Sequence, residues 1–210
     1  MLNVLLWIVG IVAVLAAAYF FIVKPWYWNW GATPAEISMP LPGDELVPNP
    51  DVAYTRAITI HAAPAQIYPW IIQIGQTKGG YYSWTGMENL MGCNMVNADR
   101  IHPEWQNLAI GDKVYMMPPD KANPAPYLVE QLLPDQAVVI VHKNADGSFF
   151  DTWQYVLVPV DAENTRLILR TRTASMGFFE FIRPGVFIME RSMLIGIRDR
   201  VEGKIVPAAQ

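Results

Sequence analysis

The chain has 210 residues, enough for one domain with a core of its own. A net charge of −4, a pI of about 5.3 and the lack of any Lys or Arg block exclude nucleic acid as a natural partner. A lone cysteine, Cys93, excludes an internal disulfide framework, and the charged fraction of 16% is low for a reason that lies at the N-terminus.

From Leu2 to Val23 no side chain is charged, and Asn3 is the one strongly polar residue. As a helix that run rises roughly 33 Å, against a hydrocarbon core of about 30 Å. Lys24 ends the run, Pro25 is expected to stop the helix, and Trp26, Tyr27, Trp28 and Trp30 follow. Residues 1–24 therefore read as one transmembrane helix, with Lys24, Trp26, Tyr27, Trp28 and Trp30 at the membrane-water interface, where amphipathic rings settle. The rival reading is a cleaved signal peptide ending at Ala16-Ala17-Ala18. Against it, no positive side chain precedes the run and Tyr19 to Val23 continue it. Lys24 is the only flanking side-chain cation, which favours a single-pass protein of the inner or plasma membrane with its C-terminal domain cytoplasmic.

Residues 25–52 read as the aromatic interface segment followed by a tether rich in proline: Pro34, Pro40, Pro42, Pro48 and Pro50. Thr33-Pro34-Ala35-Glu36 combines an N-cap, a proline at the first helical position and a following Glu, so a one-turn helix starts there. The rest is expected to run over a surface rather than pair in a sheet.

Residues 53–206 read as the folded domain. Ala53 to Ile60 alternates as a strand, and Pro64 opens a helix that buries Ile67, Trp70, Ile71 and Ile74, with a kink at Pro69. A loop-rich stretch from Gly79 to Trp105 follows, with a turn of helix at Met87 to Met91. Next come the strands "DKVYM", "YLVEQLL", "AVVIVHK", "FFDTWQYVLVPV" and "TRLILRTRT", parted by turn chemistry at Pro118-Pro119, Pro134-Asp135, Asp146-Gly147 and Asp161 to Asn164. Short strands joined by tight turns make an antiparallel meander. A last helix is expected from Pro184, with Val186, Met189, Met193, Ile197 and Val201 on one face. The order is α+β: a curved antiparallel sheet wrapped on a long C-terminal helix, with an apolar gap between them.

The blocks "PLPGDELVPNP", "RAITIHAAPAQIYPWIIQIGQTKGGYYSW", "NADRIHPEWQNLAIGDKV" and "MERSMLIGIRDRVEG" resemble the SRPBCC superfamily, the START/Bet v 1-like and polyketide cyclase-like helix-grip proteins, in a bacterial branch. The resemblance runs from Trp30 to Gly203 and implies the helix-grip fold. It leaves function open, because the superfamily includes lipid and sterol carriers, polyketide cyclases, hydroxylase subunits and hormone receptors. It brings no catalytic signature, so no catalytic residue is carried over. The chain departs from the pattern at Tyr81, where Trp is expected, in the Met-rich "MGCNMV", and in its added N-terminal span.

The chemistry-bearing residues are few. His61, His102 and His142 lie on separate segments, and His102-Pro103-Glu104 lacks the paired cysteines that a zinc deaminase needs, so neither metal nor cofactor is expected. Glu88, Asp99, His102 and Glu104 offer acid-base chemistry in one loop-rich stretch, but punctuation of turns accounts for them better. Cys93 has no base beside it. The strongest signal is an aromatic and methionine set, in which Trp70, Ile74, Tyr82, Trp84, Met87, Leu90, Trp153, Tyr155, Met189 and Met193 are expected to wall a ligand pocket. The stretch Met176 to Phe187 reads as an apolar loop that guards the mouth or dips into the bilayer, or equally one that folds onto the domain's own core. The expected function is binding of an apolar ligand, of lipid or isoprenoid class, near the bilayer. The alternatives are an accessory subunit docked to other membrane-protein subunits through its helix, and a cyclase- or hydrolase-like enzyme.

Overall fold

The structure, a computed structural model, describes residues 2–121, 124–175 and 179–205. Helix α1 (Leu2–Ala18) passes through a π-helical turn, Tyr19–Val23, into α2 (Lys24–Trp28) without a break. Pro25 therefore does not stop the helix, which continues to Trp28. The π turn explains this, because it has already opened the helix where the pyrrolidine ring would meet the preceding turn. Leu6–Trp28 forms one helix long and apolar enough to cross a membrane.

Six strands form one antiparallel sheet in the order β1-β6-β5-β4-β3-β2. They are β1 (Val52–Ile60), β2 (Lys113–Val114), β3 (Tyr127–Leu133), β4 (Ala137–Lys143), β5 (Phe149–Pro159) and β6 (Thr165–Thr173). Period-two alternation separates the two faces. Ile58, Ile140, Trp153, Tyr155, Leu167 and Leu169 enter the main core, whereas Ala57, Val156 and Ile168 belong to a smaller cluster on the other face. Helix α4 (Pro64–Ile72) begins at Pro64 as its proline predicts, and α5 (Thr85–Leu90) is the helical turn of the loop region.

The long helix α6 (Phe179–Val201) lies on the main core, with Met193, Leu194 and Ile197 buried. It begins at least five residues before Pro184, so most of the stretch read as an apolar loop is helix. Tertiary contact holds the turn ahead of the proline: Arg183 is buried, and its guanidinium lies 5.1 Å from the Trp28 ring and 5.7 Å from that of Tyr54. Met176 to Phe178, and Val206 at the expected domain end, lie outside the described residues.

The proline-rich segment stays out of the sheet as expected, but it is strapped down rather than loose. Helix α3 (Pro34–Ser38) starts in a capping box, with Thr33 Oγ1 accepting from the Glu36 N–H and Glu36 Oε2 accepting from the Thr33 N–H at 2.7 Å. Arg166 grips the Glu36 carboxylate through two nitrogens, at 2.7 and 2.9 Å. Arg170 donates to the carbonyls of Glu36, Ile37 and Met39 and to Asp44, and Arg172 donates to those of Val47 and Pro48. A chain rich in proline offers acceptors without matching donors, and guanidinium forks supply them.

Candidate functional site

Between the sheet, α6 and the loops after α4 and β2 lies a cavity of about 360 Å³. Half of its lining side chains carry sulfur: Met91, Cys93, Met95, Met116, Met117, Met189 and Met193. Tyr81, Trp153, Pro124 and Ile182 complete the apolar wall, and Ser83, Glu88 and Glu190 are its polar members. The Tyr81 ring stacks on Trp153 with centroids 5.6 Å apart and planes 23° from parallel. Behind Trp153, Tyr127 stands at 5.6 Å and itself lies 3.7 Å from His142.

The expected wall is divided by the structure. Trp153, Met189 and Met193 line the cavity. Trp70, Ile74, Tyr82 and Tyr155 sit in the buried core, where Tyr82 meets Trp70 edge-on at 5.7 Å and donates from Oη to its carbonyl at 2.9 Å. The Tyr155 hydroxyl points to Met193 Sδ at 3.5 Å. Met87 is half-buried, whereas Trp84 is 60% and Leu90 88% exposed. The outward turn has a backbone cause. Tyr82 adopts φ of 59°, held by Asn97 Oδ1 accepting its N–H at 2.8 Å, so Tyr81 enters the cavity while Trp84 leaves it. On α5 Glu88 faces inward, and Leu90, two positions on, falls on the far side.

Sequence reasoning left out Tyr81, Ser83, Glu88, Met91, Cys93, Met95, Met116, Met117, Pro124, Ile182 and Glu190 from the wall. The signal that pointed there was the pair of departures from the superfamily the sequence resembles, Tyr81 and "MGCNMV", since Met91, Cys93 and Met95 all reach the cavity.

Electrostatics set what this site can do. Glu88 is buried, accepts from the Ser83 hydroxyl on Oε1, and has no hydrogen-bond partner on Oε2 among the described residues. Burial pushes its carboxyl above the usual range, and the Ser83 bond only partly opposes this. Burial and the nearby Glu88 push the Tyr81 phenol far up. The Cys93 thiol is raised by burial and by Glu88, against a smaller opposing effect of Lys121, so it stays protonated and a weak nucleophile. At another wall, Glu190 accepts from Tyr54 Oη at 2.9 Å and is ion-paired with Arg56, whose Nε donates to the Tyr27 carbonyl at 3.1 Å. Burial lowers Arg56 to about 10, which leaves it a cation at neutral pH.

That pair adjoins the joint with the N-terminal helix. Phe187 of α6 has Trp26, Tyr27 and Trp30 around it at 5.3, 5.7 and 6.4 Å. Arg191 lies 4.9 Å from the Trp30 ring, and Lys24 lies 4.7 Å from that of Trp28. Of the expected interface set, Tyr27 is buried, Lys24, Trp28 and Trp30 are partly covered, and Trp26 is 57% exposed.

The acid-base candidates are separated. Glu88 is in the cavity, whereas Asp99 and His102 line a surface groove of about 420 Å³ with Trp105. His102 stacks on Trp105 at 4.0 Å and pairs with Glu104 through Nδ1 at 3.1 Å. His142 pairs with Asp151, and His61 with Asn164. Among the described residues, no three of His, Cys, Asp and Glu group as metal ligands would.

No protein-family model matches the chain, and no curated protein matches it. Solved structures with a similar chain path include the Aha1 dimer from Colwellia psychrerythraea, at 15% identity and TM-score 0.45, covering 72% of this chain and 96% of that one. The self-sacrificing resistance protein CalC from Micromonospora echinospora is similar at 12% identity and TM-score 0.48, covering 73% and 96%. Protein Ms6760 from Mycobacterium smegmatis is similar at 14% identity and TM-score 0.46, covering 72% and 92%. Likenesses of this degree concern the chain path and transfer no activity.

Proposed function

We propose that this chain is a membrane-anchored helix-grip domain that binds a single-chain apolar ligand, of lipid or isoprenoid class, close to the bilayer. The observation that carries the proposal is the cavity with its seven sulfur-bearing side chains. Thioether side chains are flexible and polarizable, so a wall built of them adapts to a greasy guest of irregular shape. A volume of 360 Å³ sits at the small end of ligand pockets and holds roughly a dozen water-sized groups. Two full acyl chains need about three times as much at roughly 30 Å³ per group. The size therefore favours one short chain or one isoprenoid.

The anchor supports the second half of the proposal. Ile182 lines the cavity while 41% exposed, which puts it at the rim, and it lies little more than one helical turn before Phe187, where Trp26 and Tyr27 dock. A ligand leaving past Ile182 emerges beside the foot of the apolar helix.

Native mass spectrometry of full-length protein in mild detergent, with identification of retained small molecules, tests the proposal. The expected result is one single-chain apolar molecule per chain. Met117→Trp, which fills a half-buried position of the wall, is expected to cut retention at least tenfold without lowering the melting temperature. An empty wild-type protein that also refuses added long-chain probes would sink the proposal.

A further inference from the structure

Among the described residues, four buried polar atoms of the cavity-lining side chains have no hydrogen-bond partner; Glu190 Oε2 is ion-paired with Arg56, which leaves Tyr81 Oη, Trp153 Nε1 and Glu88 Oε2. Their residues are only 4%, 7% and 6% exposed. Buried polar groups in folded proteins are nearly always paired, because an unmet donor or acceptor away from water is costly. Three such atoms in the wall of a single apolar cavity are a concentration that asks for a reason. The residues are also neighbours. Tyr81 stacks on Trp153 at 5.6 Å, and Glu88 is close enough to Tyr81 for its charge to disfavour the phenolate.

Resting on the reading of this cavity as a ligand site, we infer that Tyr81, Trp153 and Glu88 form a polar seat for an uncharged oxygen head group. The ligand is then a single-chain alcohol or ketone rather than a fatty acid, a phospholipid or a bare hydrocarbon. The donor and acceptor inventory leads to this class. An indole N–H can only donate, and a phenol donates or accepts. Glu88 Oε2 accepts when the carboxyl is ionised and donates when it is protonated, and burial shifts that balance toward the protonated form. Such a set suits an oxygen that accepts two bonds, as a carbonyl does, or accepts and donates, as a hydroxyl does.

Charge removes the competitors. Among the described residues, no Lys or Arg lines the cavity. The acids among its described lining residues are Glu88 and Glu190, and the cation near Glu190, Arg56, is already engaged by that carboxylate and by the Tyr27 carbonyl. Lys121 is turned to the Gly92 carbonyl at 2.6 Å. A carboxylate or phosphate head would therefore enter beside acids with no free cation on the wall, which is unfavourable in an apolar surround. An ammonium head would suit an ionised Glu88 but leave the indole and phenol donors unmet.

The test uses the full chain in phosphatidylcholine nanodiscs and five probes that share one tail: 1-dodecanol, 2-dodecanone, dodecanoate, dodecylamine and dodecane. Native mass spectrometry reads bound probe as a mass increment. Dodecanol and dodecanone are expected at about tenfold or greater occupancy over the other three, one bond's worth of discrimination. Tyr81→Phe is expected to lose most of that preference while leaving dodecane uptake and the melting temperature no lower. Glu88→Gln, which keeps an uncharged donor and acceptor, is expected to hold dodecanol within a few-fold of wild type, and Glu88→Leu is not. If dodecane binds as well as dodecanol, or dodecanoate or dodecylamine binds best, the seat is wrong while the apolar cavity stands. The seat is equally wrong if Tyr81→Phe keeps the full preference. If none of the five is retained, the ligand-binding proposal itself fails, and the seat with it.

Discussion

Tyr82 and Glu88 show how much of the site hangs on single residues. The positive φ of Tyr82 decides which aromatic of "YYSW" enters the cavity, and Asn97 holds it by accepting the Tyr82 N–H while donating to the Ser83 carbonyl at 2.8 Å. Neither the left-handed turn nor its clamp is written in hydrophobic periodicity, since Tyr rarely adopts that conformation. The aromatic content was therefore legible and its direction was not. Glu88 carries a pH consequence. Its folded pKa lies above the ordinary 4.5, so the fold favours the protonated form. The associated stability is complete below the unfolded value and fades as pH rises through the folded one. Glu88→Gln is thus expected to gain melting temperature on ligand-free wild type between pH 4.5 and neutrality, and to lose that gain below it. Thermal scans across that range decide the point, and a difference that does not change with pH would refute the assignment.

Helix α6 was legible as an element but not at its start. The three-to-four spacing of Met189, Met193, Ile197 and Val201 announces a helix, whereas the turn ahead of Pro184 exists because Arg183 is buried against aromatic rings from other elements. Propensity yields there to tertiary contact. Lower in the same helix, Gly196 passes directly against the Tyr82 backbone, and an added Cβ would run into the Tyr82 carbonyl oxygen. Neither the helix nor the clamped turn can retreat easily. Gly196→Ala is expected to cost about 1–3 kcal/mol or more in chemical denaturation, the reverse of the usual gain from Gly to Ala in a helix. The same loss should loosen the turn that carries Tyr81.

At the scale of the whole molecule, the antiparallel run from β2 to β6 follows from alternation and turn chemistry and the structure has the expected α+β architecture, whereas the place of β1 beside β6 is written in no local turn. What alternation conceals is the use of the outer face. The "TRLILRTRT" pattern reveals a row of arginines but not that their partners include the carbonyls of a proline-rich strap 125 to 134 residues away, because such pairing has no local period. Arg170 is the centre of this arrangement, buried with Asp44 at 2.6 Å and three carbonyls around it. Arg170→Met strands those acceptors and is expected to destabilise the domain by roughly 3 kcal/mol, as loss of one partner of a buried pair does. Limited proteolysis should then cut first between Gly31 and Asp51, and an unchanged cleavage pattern would show that the strap is held by other means.

The docking of Tyr27 under Phe187 bears on how the site is filled. A domain fastened at the foot of its helix cannot roam on a leash, and, with that helix in a bilayer as proposed, its rim at Ile182 keeps one attitude toward the lipid surface. On the proposed reading, loading becomes a two-dimensional encounter. The quantity that governs occupancy is then the mole fraction of ligand in the leaflet, not its concentration in water, so a molecule almost insoluble in water can still saturate the site.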